Sequence, residues 1–287
     1  MKKVLIRSMS GAVYIGLIVT AIYIGQWTNN THVSFIVPTV LFGVMAAIGL
    51  FEYFRCIEKS GSNVNKPFGY MVGCLTYLAI VFTFTSYFNS STVTSTAITS
   101  LLLVLLLSTP VGLFWQLFKH DRLPFATLAL TLAGVLYVVL PFSLMKSFAF
   151  ITEYSGLLMM TFILVWVNDT GAYLSGMALG RHKLWQRHSP GKTWEGCLGG
   201  LVLCIAAAII VGPLFNIPYT WLQWAATGLM VSVVGTLDDL AESMLKRSAG
   251  MKDSGNIMPG HGGILDRFDS MLAIIPFQLI MSLLFLV

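Results

Sequence analysis

Residues 196–215 read GCLGGLVLCIAAAIIVGPLF, a run of 20 positions without a charged side chain. A helix of roughly 20 apolar residues is long enough to cross the hydrocarbon core of a bilayer. Eight further long stretches are nearly as free of charge: 11–28, 34–51, 68–87, 98–117, 127–150, 156–180, 219–237 and 268–287. The run therefore belongs to a repeated pattern of apolar segments.

The composition of the chain agrees with this pattern. Of its 287 residues 56% are hydrophobic and 10% are charged, with a mean hydropathy of +0.80, whereas about a quarter of a soluble domain is charged. The stretches show no alternation of period two, which the strands of a membrane barrel require. We predict an all-α, polytopic integral membrane protein with about nine transmembrane helices.

The basic residues predict the orientation of these helices. With the N-terminus inside, all but one of the 17 Lys and Arg residues fall in cytoplasmic loops, and only Lys146 lies outside. Cytoplasmic loops carry an excess of Lys and Arg in membrane proteins. We therefore predict an N-in, C-out protein of the cytoplasmic membrane. With its net charge of +5, the protein is expected to bind anionic membrane lipids rather than nucleic acid.

Acidic residues are concentrated in the second half of the chain. Eight of the 12 Asp and Glu residues follow position 168. No linker or low-complexity segment separates domains, so we predict a single membrane domain over 1–287. Its first part, 1–155, is expected to be mainly scaffold, and 156–287 to carry an active site that faces the cytosol.

One polar cluster is predicted to extend the helix of 219–237. Asp239, Ser243 and Lys246 follow one another at i, i+4 and i+7 and would share a helix face. A carboxylate, a hydroxyl and an ammonium group together suit a divalent cation and a phosphate. The alternative is a solvated helix end with an ordinary Glu242–Lys246 ion pair.

A second cluster begins with a glycine-rich loop over 259–263, which contains His261, Gly262 and Gly263. Glycine and proline oppose a regular helix, and successive amides in such a loop can bind an anion. Asp266, Arg267 and Asp269 follow directly and are expected one turn apart where the last span begins. The alternatives are a plain turn and acidic residues that merely favour a helix N-terminus.

Two more clusters lie upstream. Asn168 and Asp169 interrupt or end an apolar segment, where an ionisable residue is a functional candidate unless a loop arginine pairs with it. Ser189, Lys192 and Thr193 lie in the most basic predicted loop, before a helix, and suit a phosphate. The spacing is not that of a Walker A P-loop.

Together these clusters resemble the phosphatidate cytidylyltransferases, or CDP-diacylglycerol synthases. That family has S-x-x-K-R, then K-D, then H-G-G-x-x-D-R-x-D, and residues 243–269 match it position by position, including Arg247, Lys252 and Asp253. The segments 168–173 and 189–196 are similar to its other motifs. The match is dense from about 160 to 270 and only topological before that.

The resemblance implies an enzyme that converts CTP and phosphatidic acid to CDP-diacylglycerol and pyrophosphate. It implies that Asp239 and Asp266 hold a catalytic Mg²⁺, with Ser243 and Lys246 beside them, and that the protein is a homodimer. A second cation, monovalent or divalent, is left open. The family usually has glycine where this chain has Asp238, and this extra carboxylate either points away from the metal or alters its binding.

Other functions are compatible with parts of the pattern. A CTP-dependent lipid kinase would transfer the γ-phosphoryl group instead of the nucleotidyl group. A transporter would also place Asp169 and a broken helix at membrane depth, but it should show two related halves. A CDP-alcohol phosphotransferase would need a tandem DGxxAR pattern, which the sequence lacks.

Overall fold

A computed structural model describes residues 2–87, 91–119, 121–258 and 262–286. Within them, six helical stretches are long and apolar enough to cross a membrane, judged by length and composition: Ser10–Thr28, Thr31–Lys59, Lys66–Thr83, Pro124–Phe150, Tyr154–Leu179 and Trp194–Phe215. This confirms an all-α membrane protein. Each of the nine predicted stretches lies largely within helical structure, but the number of crossings and their direction stay predictions.

The chain divides into two compact units. The first contains residues 1–150 and 248–266, and the second contains 151–247 and 267–287. The elements of the first unit are α1 (Lys2–Thr28), α2 (Thr31–Lys59), α3 (Lys66–Tyr87), α4 (Ser91–Leu117), α5 (Pro124–Gly134), a π-helical turn (Val135–Val139) and α6 (Leu140–Phe150). The described residues 248–258 and 262–266 belong to the same unit.

Local sequence explains where several of these helices begin. The side chain of Asn30 accepts hydrogen bonds from the amides of His32 and Val33, so it caps α2. Pro124 occupies the first turn of α5, where a missing N–H costs nothing. The π-helical turn precedes Pro141, which cannot donate the regular hydrogen bond to the preceding turn.

The second unit carries most of the predicted site residues. Its elements are α7 (Thr152–Leu179), β1 (Lys183–Trp185), β2 (Ser189–Thr193), α8 (Trp194–Val211), a 3₁₀ turn (Gly212–Phe215), α9 (Trp221–Ser248) and α11 (Met271–Leu286). The short helix α10 (Leu265–Phe268) crosses the boundary between the units. Strands β1 and β2 form an antiparallel hairpin, with Lys183 opposite Thr193.

Glycines allow α7 and α8 to pack closely. A Cβ atom at Gly196 would lie 2.7 Å from the carbonyl oxygen of Ala172, and one at Gly200 would lie 2.8 Å from that of Asn168. Small residues four positions apart are the usual means by which membrane helices approach. This packing fixes Asn168 against the start of α8.

Three local predictions can be compared with these elements. The helical extension after residue 237 is confirmed, because α9 continues to Ser248. The polar residues at 168–173, which were predicted to interrupt or end an apolar segment, lie inside α7, which continues to Leu179. Asp266 and Asp269 do not share one helix: Asp266 lies in α10, and Asp269 lies in the turn before α11.

Candidate active site

A cavity of about 470 Å³ lies within the second unit. Its lining comes from α7, β2, the start of α8, α9 and the turn before α11. The lining residues are Asn168, Asp169, Ala172, Tyr173, Gly176, Met177, Gly191, Lys192, Thr193, Gly196, Cys197, Gly235, Thr236, Asp239 and Ser270. Two predicted clusters that are far apart in sequence, around Asp169 and Lys192, therefore meet here with Asp239.

The central contact of the cavity is an ion pair between Lys192 and Asp239. The lysine Nζ lies 2.5 Å from Oδ2 of the aspartate, and both side chains are about one quarter exposed. Such a pair is accessible to a ligand, yet partly shielded from water. A phosphate entering the cavity could replace the carboxylate on Lys192, and a cation could replace the ammonium group on Asp239.

The β-hairpin places Lys192 in the cavity. Thr193, the next residue, caps α8 by accepting a hydrogen bond from the amide of Gly196 (3.1 Å). Glu195 accepts hydrogen bonds from the amides of Arg181 and His182 at the base of the hairpin, and its carboxylate lies 2.6 Å from Nδ1 of His182. The start of β1 and the end of β2 are thus both held by residues at the start of α8.

Asn168 connects α7 to α9. Its side chain is buried, and its Oδ1 accepts a hydrogen bond of 2.6 Å from the hydroxyl of Ser232. The contact orients the side-chain amide of Asn168. Ser232 was not predicted; it lies seven positions before Asp239, and a comparison of helix faces would have suggested it.

The adjacent carboxylates of α9 have different surroundings. Asp239 faces the cavity, whereas Asp238 is 4% exposed and its Oδ2 accepts a hydrogen bond of 2.7 Å from the amide of Ala273. That amide belongs to the first turn of α11, where backbone donors have no partner within the helix. The residue that replaces the family's usual glycine therefore caps α11 and points away from the cavity.

Lys246 has the partner that the alternative interpretation named. It forms an ion pair with Glu242, which is 1% exposed, so this pair is buried and not a solvated helix end. The hydroxyl of Ser243 donates a long hydrogen bond of 3.4 Å to Asp239. Asp269 is half-buried in the turn before α11.

Asp266, the second predicted metal ligand, belongs to the first unit and is 6% exposed. Its Oδ2 accepts hydrogen bonds of 2.8 Å from the amides of Ser254 and Gly263. Glu52 of α2 accepts hydrogen bonds from the next two amides, those of Ile264 and Leu265. Within the loop 259–263, whose amides were predicted to bind an anion, the amide of Gly263 thus donates to a carboxylate of the protein itself, and the amides of Ile264 and Leu265 directly after it do the same.

The other predicted residues that the structure describes lie outside the cavity lining. Ser189 is half-buried in β2, and Gly262 has a left-handed backbone with a φ of 88°. His261 lies outside the described residues. Four charged residues are exposed: Arg247, Lys252, Asp253 and Arg267.

The cavity suits an oxygen-preferring cation. Among the described residues, no group of three or more His, Cys, Asp or Glu side chains is arranged to hold a metal ion. Asp169 and Asp239 are the two carboxylates in the cavity lining. Mg²⁺ usually binds through one or two carboxylates and completes its shell with water and substrate phosphates, so this donor set fits it.

The apolar helices are those of a membrane protein, and its cavity brings one lysine together with two carboxylates. Residues 5–285 match the cytidylyltransferase family. The chain belongs to this family.

Curated relatives agree with the family assignment. The chain is 36% identical over 249 residues to the phosphatidate cytidylyltransferase of Bacillus subtilis (strain 168), which covers 86% of this chain and 89% of the relative. It is 41% identical over 169 residues to that of Staphylococcus haemolyticus (strain JCSC1435), covering 57% and 62%. The staphylococcal match thus spans less than two thirds of the relative's length.

Proposed function

We propose that this protein joins CTP to phosphatidic acid, giving CDP-diacylglycerol and pyrophosphate. The observation that carries the proposal is the cavity in which Lys192 meets Asp169 and Asp239. A lysine and carboxylates in one cavity can bind a nucleotide's phosphates together with a cation. The relatives named phosphatidate cytidylyltransferase support the choice of substrates.

The reaction requires one bond to form and one to break. A phosphate oxygen of phosphatidic acid forms a bond to the α-phosphorus of CTP. The bond from that phosphorus to the oxygen bridging to the β-phosphorus breaks, and pyrophosphate leaves with the electron pair. A phosphate monoester has a second pKa of about 6, so the nucleophile is largely ionised near neutral pH without a general base. Positioning and charge neutralisation are therefore the tasks of the protein.

The cavity residues divide these tasks. Lys192 neutralises phosphate charge once it leaves Asp239, and Thr193 fixes the backbone beside it by capping α8. Asn168, held by Ser232, contributes a fixed amide at the nucleotide end. Lys246, Arg247 and Lys252 are proposed to share the anionic load.

Asp239 and Asp169 would hold Mg²⁺ within the cavity lining. When bound, Mg²⁺ neutralises charge on the phosphate oxygens of the nucleotide and of the departing pyrophosphate. The pairing of Asp239 with Asp266 on one ion, and a second cation, rest on the family resemblance and stay predictions.

The placement in the membrane follows from the charge pattern. We propose nine crossings, with the N-terminus inside and the C-terminus outside, in the cytoplasmic membrane. The cavity would then open to the cytosol, where CTP is available, with phosphatidic acid entering from the bilayer. The homodimer expected from the resemblance is also part of the proposal.

Product analysis tests this function. Purified protein in detergent, given CTP, phosphatidic acid and Mg²⁺, should release pyrophosphate and form CDP-diacylglycerol in equal amounts, while an Asp239→Asn variant should not. A lipid kinase would instead release CDP with a phosphorylated lipid, and a transporter would form neither product. Either of those two results in the wild-type protein would refute the proposal.

A further inference from the structure

Glu52 is an acidic residue buried in the apolar helix α2. It is 1% exposed, and a buried carboxylate costs several kcal/mol unless hydrogen bonds compensate for the lost water. Here Oε1 accepts from the amide of Ile264 (3.1 Å), and Oε2 accepts from the amide of Leu265 (2.9 Å) and the hydroxyl of Ser254 (3.0 Å). Three donors from one distant segment thus compensate for the burial of Glu52.

Asp266, the last residue of the segment 254–266, also accepts hydrogen bonds from other residues of this segment. Its Oδ2 accepts hydrogen bonds from the amides of Ser254 and Gly263 and lies 3.0 Å from the Ser254 hydroxyl. Ser254 is fully buried, and its hydroxyl lies within hydrogen-bonding distance of both carboxylates. The two ends of the segment 254–266 are therefore fastened to each other through Glu52 and Asp266.

The glycines of this segment make the approach of the carboxylates possible. A Cβ atom at Gly255 or Gly263 would overlap the carboxylate of Glu52, and one at Gly262 would lie 2.5 Å from Oδ2 of Asp266. Any larger residue at Gly255 or Gly263 would push Glu52 away from the amides. The glycines thus leave space for the carboxylate of an acidic residue about 200 positions earlier in the chain.

We propose that Glu52 is a positioning residue for the cytidylyl transfer: it binds Ser254, Ile264 and Leu265, on both sides of the glycine-rich loop, and thereby fixes the backbone next to Asp266. This inference rests on the proposed function. Because displacing a reacting group by about 1 Å can cost about a hundredfold in rate, loosening this segment should lower turnover even in a protein that folds.

The main test uses three variants of the full-length protein in detergent. In Glu52→Gln an amide NH₂ group replaces one acceptor oxygen, so at least one of the three donors loses its acceptor. We expect kcat to fall about tenfold to a hundredfold, measured well below the variant's own melting temperature. Glu52→Asp keeps the charge and should restore part of the rate. Glu58→Gln is the control, because Glu58 lies on the same helix but pairs with Lys66 at the surface (2.7 Å).

A second readout does not depend on activity. Trypsin cleavage after Lys252, which is exposed, should become faster in Glu52→Gln than in the wild type or Glu58→Gln, as followed by mass spectrometry of the fragments. A residue that merely contributes stability would leave both kcat and this cleavage unchanged in the folded variant. Wild-type kcat and KM in folded Glu52→Gln would overturn the proposal.

If Glu52→Gln does not fold, the variant Ser254→Ala tests the positioning role of Glu52. It removes only the hydroxyl near both carboxylates and leaves the backbone amides in place, and kcat should fall while the melting temperature changes little. Wild-type turnover of Ser254→Ala together with Glu52→Asp would overturn the proposal. If the wild type itself forms no CDP-lipid, the proposed function fails, and the trypsin comparison still shows whether Glu52 fixes the segment.

Discussion

Asp238 and Asp239 are adjacent carboxylates, of which the first is expected to stabilise the fold and the second to act in the cavity. Substituting each one separately therefore tests the site directly. Asp238 caps α11 through the amide of Ala273 and is almost fully buried, whereas Asp239 pairs with Lys192 in the cavity. Asp238→Ala leaves a buried helix-end amide without this acceptor. Asp239→Asn keeps the shape of the side chain but removes its charge.

The size of the Asp238 effect follows from the contact. Loss of a helix cap costs about 0.5–2 kcal/mol, and a hydrogen bond to a charged group contributes about 1.5–3 kcal/mol. We therefore expect Asp238→Ala to destabilise the protein by about 2 kcal/mol, which corresponds to a melting temperature lower by about 4–8 °C. Asp238→Asn keeps an acceptor oxygen and should lose less.

The assay combines thermal unfolding in detergent with pyrophosphate release at a temperature where all variants are folded. Asp238→Asn should retain most of the wild-type turnover, and Asp239→Asn should lose about a hundredfold or more while melting near the wild-type temperature. Abolished turnover in Asp238→Asn with an unchanged melting temperature would refute the reasoning, because it would place the Asp238 carboxylate in the reaction.

The remaining predictions concern charge, metal and packing. Lys192→Met should lower kcat/KM for CTP about a hundredfold, while Lys183→Met, on the exposed strand of the same hairpin, should not; equal losses would reject the role of Lys192. EDTA should abolish pyrophosphate release and added Mg²⁺ should restore it, and full activity in EDTA would exclude the metal. Asp266→Asn should lower the melting temperature, unlike Asp239→Asn, because its carboxylate accepts two backbone hydrogen bonds; an unchanged value would contradict that anchoring role. Gly200→Val should destabilise the protein, because its Cβ would lie 2.8 Å from a carbonyl oxygen of α7, and a wild-type melting temperature would show that the helices can separate there.

The sequence alone was sufficient to predict the membrane helices and the motif residues, because both are local features of the chain. Hydropathy over about 20 residues is a property of a continuous segment, and the motif spacing from Ser243 to Asp269 is readable without a fold. The same local reasoning identified Asn168 and Asp169 as an interruption of the apolar sequence, and α7 continues through both because polar residues inside a helix can face a cavity without ending the helix.

Only the tertiary structure decided which partner each carboxylate has. Successive residues of a helix point about 100° apart, so the sequence implied that Asp238 and Asp239 diverge, but not which of them faces Lys192 and which caps α11. Glu52, the residue directly after the predicted span 34–51, was assigned to the scaffold. Its donors lie more than 200 residues away, and contacts at that separation arise from the packing of helices, which no local pattern encodes.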